Sequence, residues 1–211
     1  IEGKPPPRAA ASWSALVLPI PSKYARSSVA SSSGTSGAGK SGKVDLSAAE
    51  VQLVGEVARE MVLARVLRSV ADEYDVILID CQPSLGLLTV NALTASHGVV
   101  IPLEAEFFAM RGVALLVETI EKVQDRLNPR LEIDGILATM YDGRTLHSRD
   151  VVRSVVDHFG DKVFHTVISR TVKFPDATLA AEPITQYASG HGAAESYRQL
   201  ARELISRGGA P

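Results

Sequence analysis

Cysteine is almost absent from this sequence, and the single copy, Cys81, excludes an internal disulfide bond. No apolar run is long enough to cross a bilayer as a helix. Neither sign of charge dominates, because 22 basic and 24 acidic residues leave a formal net charge of −2. The whole chain is therefore not a basic nucleic-acid binder, although local basic patches remain open. The spacing typical of metal ligands is also missing around His147, His158, His165 and His191.

The composition that is present predicts one folded domain preceded by a leader. The chain is 45% hydrophobic and 22% charged, as is common for globular proteins of 211 residues. Residues 1–43 are rich in Pro, Ala, Ser and Gly, and such a segment buries too little apolar surface to offset its ordering entropy. From Val44 onward the composition changes, and helical and strand patterns begin. We therefore divide the chain into a low-complexity or disordered leader, 1–43, and a folded body, 44–211.

The body alternates between helical and strand patterns. Ser47 and Glu50 have the spacing of a capping box, and the apolar periodicity after them predicts a helix to about Ala71. Further helices are predicted over 85–95, 109–127, 147–159 and 192–207, and strands over 75–80, 98–103, 133–140 and 163–168. Strands separated by helices of this length predict an α/β fold with a parallel sheet and flanking helices.

Asp80 ends one of these apolar runs and is followed at once by a turn-forming segment, residues 81–86. Such a run is typical of a buried parallel strand with a carboxylate at its carboxyl end. Ligands of open α/β sheets bind at that end, and Mg²⁺ prefers oxygen ligands. The pattern therefore predicts a Mg²⁺–nucleotide site at Asp80. A solvent-facing acidic strand end is the alternative.

A second candidate site lies in the leader, where residues 34–41 fit the phosphate-loop pattern G-x-x-x-x-G-K-[ST]. In a working loop, backbone N–H groups from Gly34 to Gly39 cradle phosphates, Lys40 reaches the terminal phosphates and Ser41 binds Mg²⁺. Such a loop joins a buried strand to a helix N-terminus, whereas here it follows a Ser-rich stretch that is a poor strand. A chance match in a Gly/Ser-rich tract is the alternative.

Several ordered segments between 44 and about 207 resemble the ParA/Soj branch of the ParA/MinD family of P-loop ATPases. Residues 80–93 resemble the Walker B strand end and the switch II loop of that family. Residues 102–112 resemble the end of its next strand. Further resemblances lie in residues 45–50, which open the first helix, in the loops 139–145 and 167–173, and in residues 193–198, which begin the last helix.

The resemblance implies a function. Family members bind ATP and Mg²⁺, dimerise across the nucleotide, and bind DNA without sequence preference. A ParB-type partner stimulates hydrolysis, and the cycle separates chromosomes or plasmids. The resemblance thus implies a protein that acts at the nucleoid in the bacterial cytoplasm and does not bind a membrane. The resemblance implies that Asp80 holds Mg²⁺ and that Gln82, Pro83 and Ser84 form switch II, with Asp80, Gln82 and Pro83 as the catalytic residues. It also implies that Met140, Ser169 and Thr171 lie near the adenine and that Arg144, Arg170 and Lys173 contact DNA phosphates.

The sequence also departs from the family pattern. Relatives begin with a strand and the Walker A loop Lys-Gly-Gly-x-Gly-Lys-Thr, well upstream of Walker B, and here Thr35 stands at the place of the first Lys. Ser169 and Thr171 stand where many relatives have Pro and Asn. We therefore expect a P-loop NTPase-like fold without its usual first strand and P-loop helix, with residues 16–18 as partial substitutes for the strand.

Three functions remain open on these residues. The first is a ParA-type partitioning ATPase, truncated and inactive alone if the Walker A element is missing. The second is a ParA-like module that binds DNA or a partner without hydrolysing ATP. The third is a MinD-like membrane-positioning ATPase, in which the apolar side of the last helix would contact lipid.

Overall fold

A parallel sheet of four strands forms the centre of the computed structural model, which describes residues 12–17, 46–81, 84–105 and 109–209. The strands stand in the order β2-β1-β3-β4. Every described pairing between neighbouring strands is parallel, which confirms the predicted α/β class. The strand bounds are β1 Ser12–Val17, β2 Val76–Cys81, β3 Gly98–Glu104 and β4 Glu132–Thr139.

The expectation that the first strand is missing is wrong, whereas the expectation that residues 16–18 partly fill its place is confirmed for Leu16 and Val17, which lie in β1. β1 lies inside the segment assigned to the leader, and it pairs with β2 on one side and β3 on the other. Leu16 is in register with both Asp80 and Val100. A strand between two neighbours pairs its backbone N–H and C=O groups on both edges. The sequence of these six residues alone does not show that such partners exist. The rest of the leader, with residues 34–41 and Leu18, lies outside the described residues.

Helices flank the sheet in the predicted order, and the predictions for α3, α4, α5 and α8 are confirmed to within two residues. The pair α6 and α7 was not predicted, because helices of seven and four residues show no extended periodicity. The helix bounds are α1 Leu46–Leu53, α2 Val62–Leu67, α3 Leu87–Ala95, α4 Ala109–Arg126, α5 Leu146–Phe159, α6 Lys173–Leu179, α7 Ile184–Tyr187 and α8 Gly192–Ser206.

The single long helix predicted from Ser47 to Ala71 is instead broken. α1 ends at Leu53, turns follow around Gly55, and a short 3₁₀ turn precedes α2. Glycine in a helix interior is unfavourable, and Val57, one of the apolar residues at helical spacing in this segment, is 89% exposed. Propensity alone does not hold a helix when its apolar stripe has no surface to cover.

The fourth predicted strand, residues 163–168, is extended but irregular. Its described pairing with β4 is one isolated bridge, between Ile136 and Val163, and two backbone hydrogen bonds of 2.9 Å, from Phe164 N to the Ile136 oxygen and from Ile168 N to the Ala138 oxygen. The N–H groups of His165 and Thr166 donate instead to the carboxylate of Glu203 on α8, at 2.7 and 2.9 Å. A side chain from another element thus replaces the strand partner.

Apolar side chains cover both faces of the sheet. One face packs on α3, α4 and α5 through residues such as Leu93, Ile120 and Val155. The other face carries Val100 and Leu137 and packs on Leu200 and Leu204 of α8, as expected for a stripe that covers the sheet. Within the described ranges, no helix is both long and apolar enough to span a bilayer.

Candidate functional site

Asp80 lies near the carboxyl end of β2, beside the end of β1. Because the strands are parallel, their carboxyl ends share one edge of the sheet, which we call the carboxyl edge and define by Val17, Cys81, Glu104 and Thr139. Asp80 is exposed, and partial burial of its carboxyl raises its pKa above the ordinary value of 3.8. A nearby cation would reverse that shift by stabilising the carboxylate.

Cys81 follows Asp80 and points to the opposite face of the strand, into the core. Burial, assisted by the charge of Asp80, raises the pKa of its thiol to about 12. The thiolate is the reactive form of cysteine, so this side chain is an inert apolar filler.

The segment after Asp80 leads directly into α3. Gln82 and Pro83, predicted in switch II, lie outside the described residues. The next described residue is Ser84, whose carbonyl oxygen accepts a hydrogen bond from the hydroxyl of the buried Thr89. The start of α3 is thus tied to the turn between the carboxyl edge and the helix.

A cavity of about 590 Å³ opens at the carboxyl ends of β3 and β4. Its walls are mainly apolar, with a few polar groups, as in many small-molecule sites. Burial raises the pKa of Tyr197, which stands edge-on to Phe174 with ring centroids 5.9 Å apart. The lining residues are Pro102, Glu104, Thr139, Met140, Ile168, Phe174, Ala177, Thr178, Glu182, Pro183, Ile184, Thr185 and Tyr197.

Of the three residues predicted near adenine, Met140 lines this cavity. Its φ is +53°, a left-handed conformation that is uncommon for a residue with a side chain and that often marks functional sites. Backbone hydrogen bonds on either side of Tyr141 hold this turn against residues 168–170. Ser169 and Thr171 are not among the lining residues; the Thr171 hydroxyl accepts a hydrogen bond from Lys173 N at 3.2 Å.

The three predicted DNA-contacting cations each have an acidic neighbour. Arg144 binds Asp142 through two nitrogens and lowers the pKa of that carboxyl to about 2, mainly by side-chain and backbone hydrogen bonds. The other two are close to their acids rather than tightly bound. Arg170 Nη2 is 3.7 Å from Glu104 Oε1, and Lys173 Nζ is 3.5 Å from Asp176 Oδ2.

The donor set fits a magnesium ion that keeps most of its water. Across the part of the chain that the structure describes, no three His, Cys, Asp or Glu residues are grouped to hold a metal by themselves. Mg²⁺ at nucleotide sites needs only one or two protein oxygens besides the phosphates. Asp80 would supply one such oxygen, while Ser41, the second predicted ligand, lies outside the described residues.

Comparison with known proteins decides the family. The family model described as an AAA domain matches residues 38–133. The chromosome-partitioning ATPase Soj of Treponema pallidum is 49% identical over 166 residues, which cover 79% of this chain and 66% of Soj. The chain belongs to the ParA/Soj branch of the ParA/MinD family of P-loop ATPases. The sporulation initiation inhibitor Soj of Bacillus subtilis is 45% identical over 165 residues, covering 78% of this chain and 65% of that protein.

Other relatives of this ParA/Soj-type chain extend the comparison. An uncharacterised protein of Mycobacterium tuberculosis is 61% identical over 166 residues, and this chain spans 52% of its length. A crystal structure of cobyrinic acid a,c-diamide synthase from Mycobacterium smegmatis, with bound ADP and magnesium, is 40% identical. The two structures align with a TM-score of 0.64, and the alignment covers 76% of this chain and 58% of the synthase chain. The cell division ATPase MinD of Pyrococcus furiosus, 22% identical with a TM-score of 0.57, shares the fold.

Sequence reasoning missed the side chains that reach the site from distant elements. Phe174 and Thr185 line the cavity from α6 and α7, helices that no periodicity predicts. Glu50 was interpreted as half of a capping box for α1, but α1 begins at Leu46, so Ser47 is already helical. The Glu50 carboxylate instead contacts α3, and no local signal could have shown this.

Proposed function

We propose that this chain is a ParA-type partitioning ATPase that binds Mg²⁺–ATP along the carboxyl edge of its sheet. The observation that carries the proposal is the position of Asp80. It lies beside the end of β1, on the same edge as the cavity that contains Met140. A carboxylate and an apolar cavity at the ends of parallel strands are the two kinds of environment that a nucleotide requires.

The nucleotide would lie across the strand ends. β2 and β4 are three strand spacings apart, or roughly 14 Å. The base would occupy the cavity at Met140, with Ser169 and Thr171 at its border. The phosphates would extend toward Asp80, which would hold Mg²⁺ through water. Gly34, Gly39, Lys40 and Ser41 would form the phosphate loop, and Gln82 and Pro83 would respond to the terminal phosphate.

DNA would bind at the loops that follow β4 and the extended segment 163–168. Arg144 and Arg170 lie on these loops and Lys173 begins α6, and phosphate contacts alone suffice for binding without sequence preference. The acidic neighbours of these cations would make the affinity modest and strongly dependent on salt. We further propose a nucleotide-dependent homodimer, a ParB-like stimulating partner, and a place of action at the nucleoid in the cytoplasm.

ATP turnover by the full chain tests this function. We expect hydrolysis that requires Mg²⁺ and is lost in the Lys40→Ala variant, because the loop lysine neutralises the terminal phosphates. Unchanged turnover in Lys40→Ala would show that residues 34–41 are a chance match. If the chain bound no nucleotide, the non-catalytic module would replace the ATPase. The packing of Leu200 and Leu204 on the sheet argues against the MinD-like membrane alternative.

A further inference from the structure

The carboxylate of Glu50 on α1 caps the first turn of α3. Its Oε1 accepts a hydrogen bond of 3.1 Å from Leu87 N, 37 positions away in the sequence. The first N–H groups of a helix have no partner within it, and Gly86, at the cap position, has no side chain to supply one. A carboxylate at this end also interacts favourably with the helix dipole. Glu50 therefore does from a distance what a capping residue does locally.

Gly86 gives independent support for this contact. A Cβ added there would lie 2.6 Å from Glu50 Oε1, closer than atoms approach without moving. The φ of Gly86 is −79°, which any residue adopts, so backbone conformation does not demand glycine at this position. A side chain at position 86 would therefore displace the Glu50 carboxylate from its contact with Leu87 N.

A second polar contact joins the same two parts of the chain one helical turn later. The buried Asn91 side chain accepts from Leu63 N at 3.1 Å and donates to the Arg59 carbonyl oxygen at 2.8 Å. Leu63 of α2 also packs against the core, while Val51 and Val66 are exposed. The segment of α1 and α2 is thus attached to α3 by directional hydrogen bonds as well as by apolar packing.

We propose that Glu50 is a positioning residue for the Mg²⁺–nucleotide site. By holding the first turn of α3, it positions the helix that follows the strand end carrying Asp80. The loss of this contact releases the first turn of α3 and weakens metal-assisted binding more than binding without the metal. The metal-dependent part rests on the proposed function, whereas the capping contact does not.

Four variants of the full chain separate these statements: Glu50→Ala, Glu50→Gln, Gly86→Ala, and the double variant of Glu50→Ala with Gly86→Ala. Glu60→Ala is the matched control, since it removes the same charge from the same segment and Glu60 pairs with the adjacent Arg59. Amide hydrogen exchange across residues 84–91 measures the cap without nucleotide. Titration of an ATP analogue with and without Mg²⁺ measures the positioning role.

Amide exchange should be roughly fivefold faster in Glu50→Ala and in Gly86→Ala than in the parent chain, since each substitution breaks the cap. The double variant should exchange no faster than either single variant, because both substitutions remove the same contact. Glu50→Gln keeps an acceptor oxygen and should retain most of the protection. In Glu50→Ala the Mg²⁺ concentration for half-maximal enhancement should rise about fivefold. Glu60→Ala should match the parent chain in both measurements.

Two results would overturn the proposal. Exchange equal to that of Glu60→Ala would show that Glu50 does not cap α3 in solution. Equal losses of analogue affinity with and without Mg²⁺ would reduce Glu50 to a structural role. If the parent chain bound no nucleotide, the positioning role would fall together with the proposed function, and the exchange data would still decide whether the cap exists.

Discussion

Arg144 and Asp142 form a two-pronged ion pair at the carboxyl edge, with Nε 3.0 Å from Oδ1 and Nη2 2.9 Å from Oδ2. In this pair the Asp142 carboxylate competes with any phosphate for the Arg144 guanidinium. Asp142→Asn should therefore strengthen binding to non-specific duplex DNA, and Arg144→Ala should weaken it and reduce the slope of log affinity against log salt by about one. Fluorescence anisotropy over a salt series would measure both effects.

The pH dependence of this effect follows from the low pKa of Asp142, about 2 against an ordinary 3.8. A lowered folded pKa means that the pair is complete above pH 3.8 and is lost only as the pH falls toward 2. The gain in Asp142→Asn should thus be constant between pH 6 and 8. Lys122→Ala, which removes an exposed cation paired with Glu118 on α4, is the control. A loss of affinity in Asp142→Asn would contradict the account.

Met140 contributes to nucleotide affinity through the base and not through the metal. Met140→Ala removes apolar contact from the cavity and should weaken binding of an ATP analogue by about 1 kcal/mol, or roughly fivefold, equally with and without Mg²⁺. Calorimetry measures both affinities. Val156→Ala on α5 is the matched control, with 45% exposure against 46% for Met140. If Met140→Ala weakened binding of the analogue only in the presence of Mg²⁺, the base would have to bind outside this cavity.

Glu203 stabilises the extended segment 163–168. Burial opposes its ionisation, yet hydrogen bonds from His165 and Thr166 prevail and bring its pKa to about 2 from 4.5. Glu203→Ala should lower the free energy of unfolding by about 2–3 kcal/mol at pH 7, since the N–H groups of His165 and Thr166 and the Thr166 hydroxyl lose their charged acceptor. Urea unfolding measures this.

The sign of the pH effect is fixed by the lowered pKa of Glu203. Its contribution is complete above pH 4.5 and decreases as the pH falls from 4.5 toward 2. The stability of the parent chain should therefore approach that of Glu203→Ala in this range. Glu195→Ala, on the exposed side of the same helix, should differ little from the parent chain. If the difference in unfolding free energy between the parent chain and Glu203→Ala were the same at pH 7 and pH 3, this role of the ionised Glu203 would be contradicted.

Gly135 lets the extended segment approach β4. A Cβ there would lie 2.6 Å from the Phe164 ring and 2.9 Å from the Lys162 carbonyl oxygen. Gly135→Ala should cost about 1–3 kcal/mol of stability, because backbone as well as side chain must move. Gly112→Ala on α4, where a Cβ meets nothing within 4 Å, should instead stabilise by roughly 0.5–1 kcal/mol. Thermal unfolding of the two variants distinguishes these signs.

Local pattern predicted most of the regular fold. β2 and β3 are apolar runs ended by polar or turn residues, and α4 and α5 have clear helical periodicity. The failures share one physical cause, namely partners distant in the sequence. β1 is a strand because β2 and β3 pair with both of its edges, and residues 163–168 are irregular because Glu203 binds their N–H groups.

The same limit applies to the candidate site. Asp80 was predictable, because the strand and its terminal carboxylate are adjacent in the sequence. The cavity was only partly predictable. Met140 came from a family resemblance, while Phe174 and Tyr197 meet it only after α6 and α8 have packed on the sheet. The cap from Glu50 to Leu87 is a contact of the same kind.

Calorimetric titration of a non-hydrolysable ATP analogue, with and without Mg²⁺, into the parent chain and the Asp80→Asn variant tests the central claim most directly. The variant keeps the size of the side chain and removes the charge that would hold the metal. We expect Mg²⁺ to strengthen binding to the parent chain at least tenfold, about 1.4 kcal/mol, and to have little effect on the variant. Equal enhancement by Mg²⁺ in both chains would contradict the account.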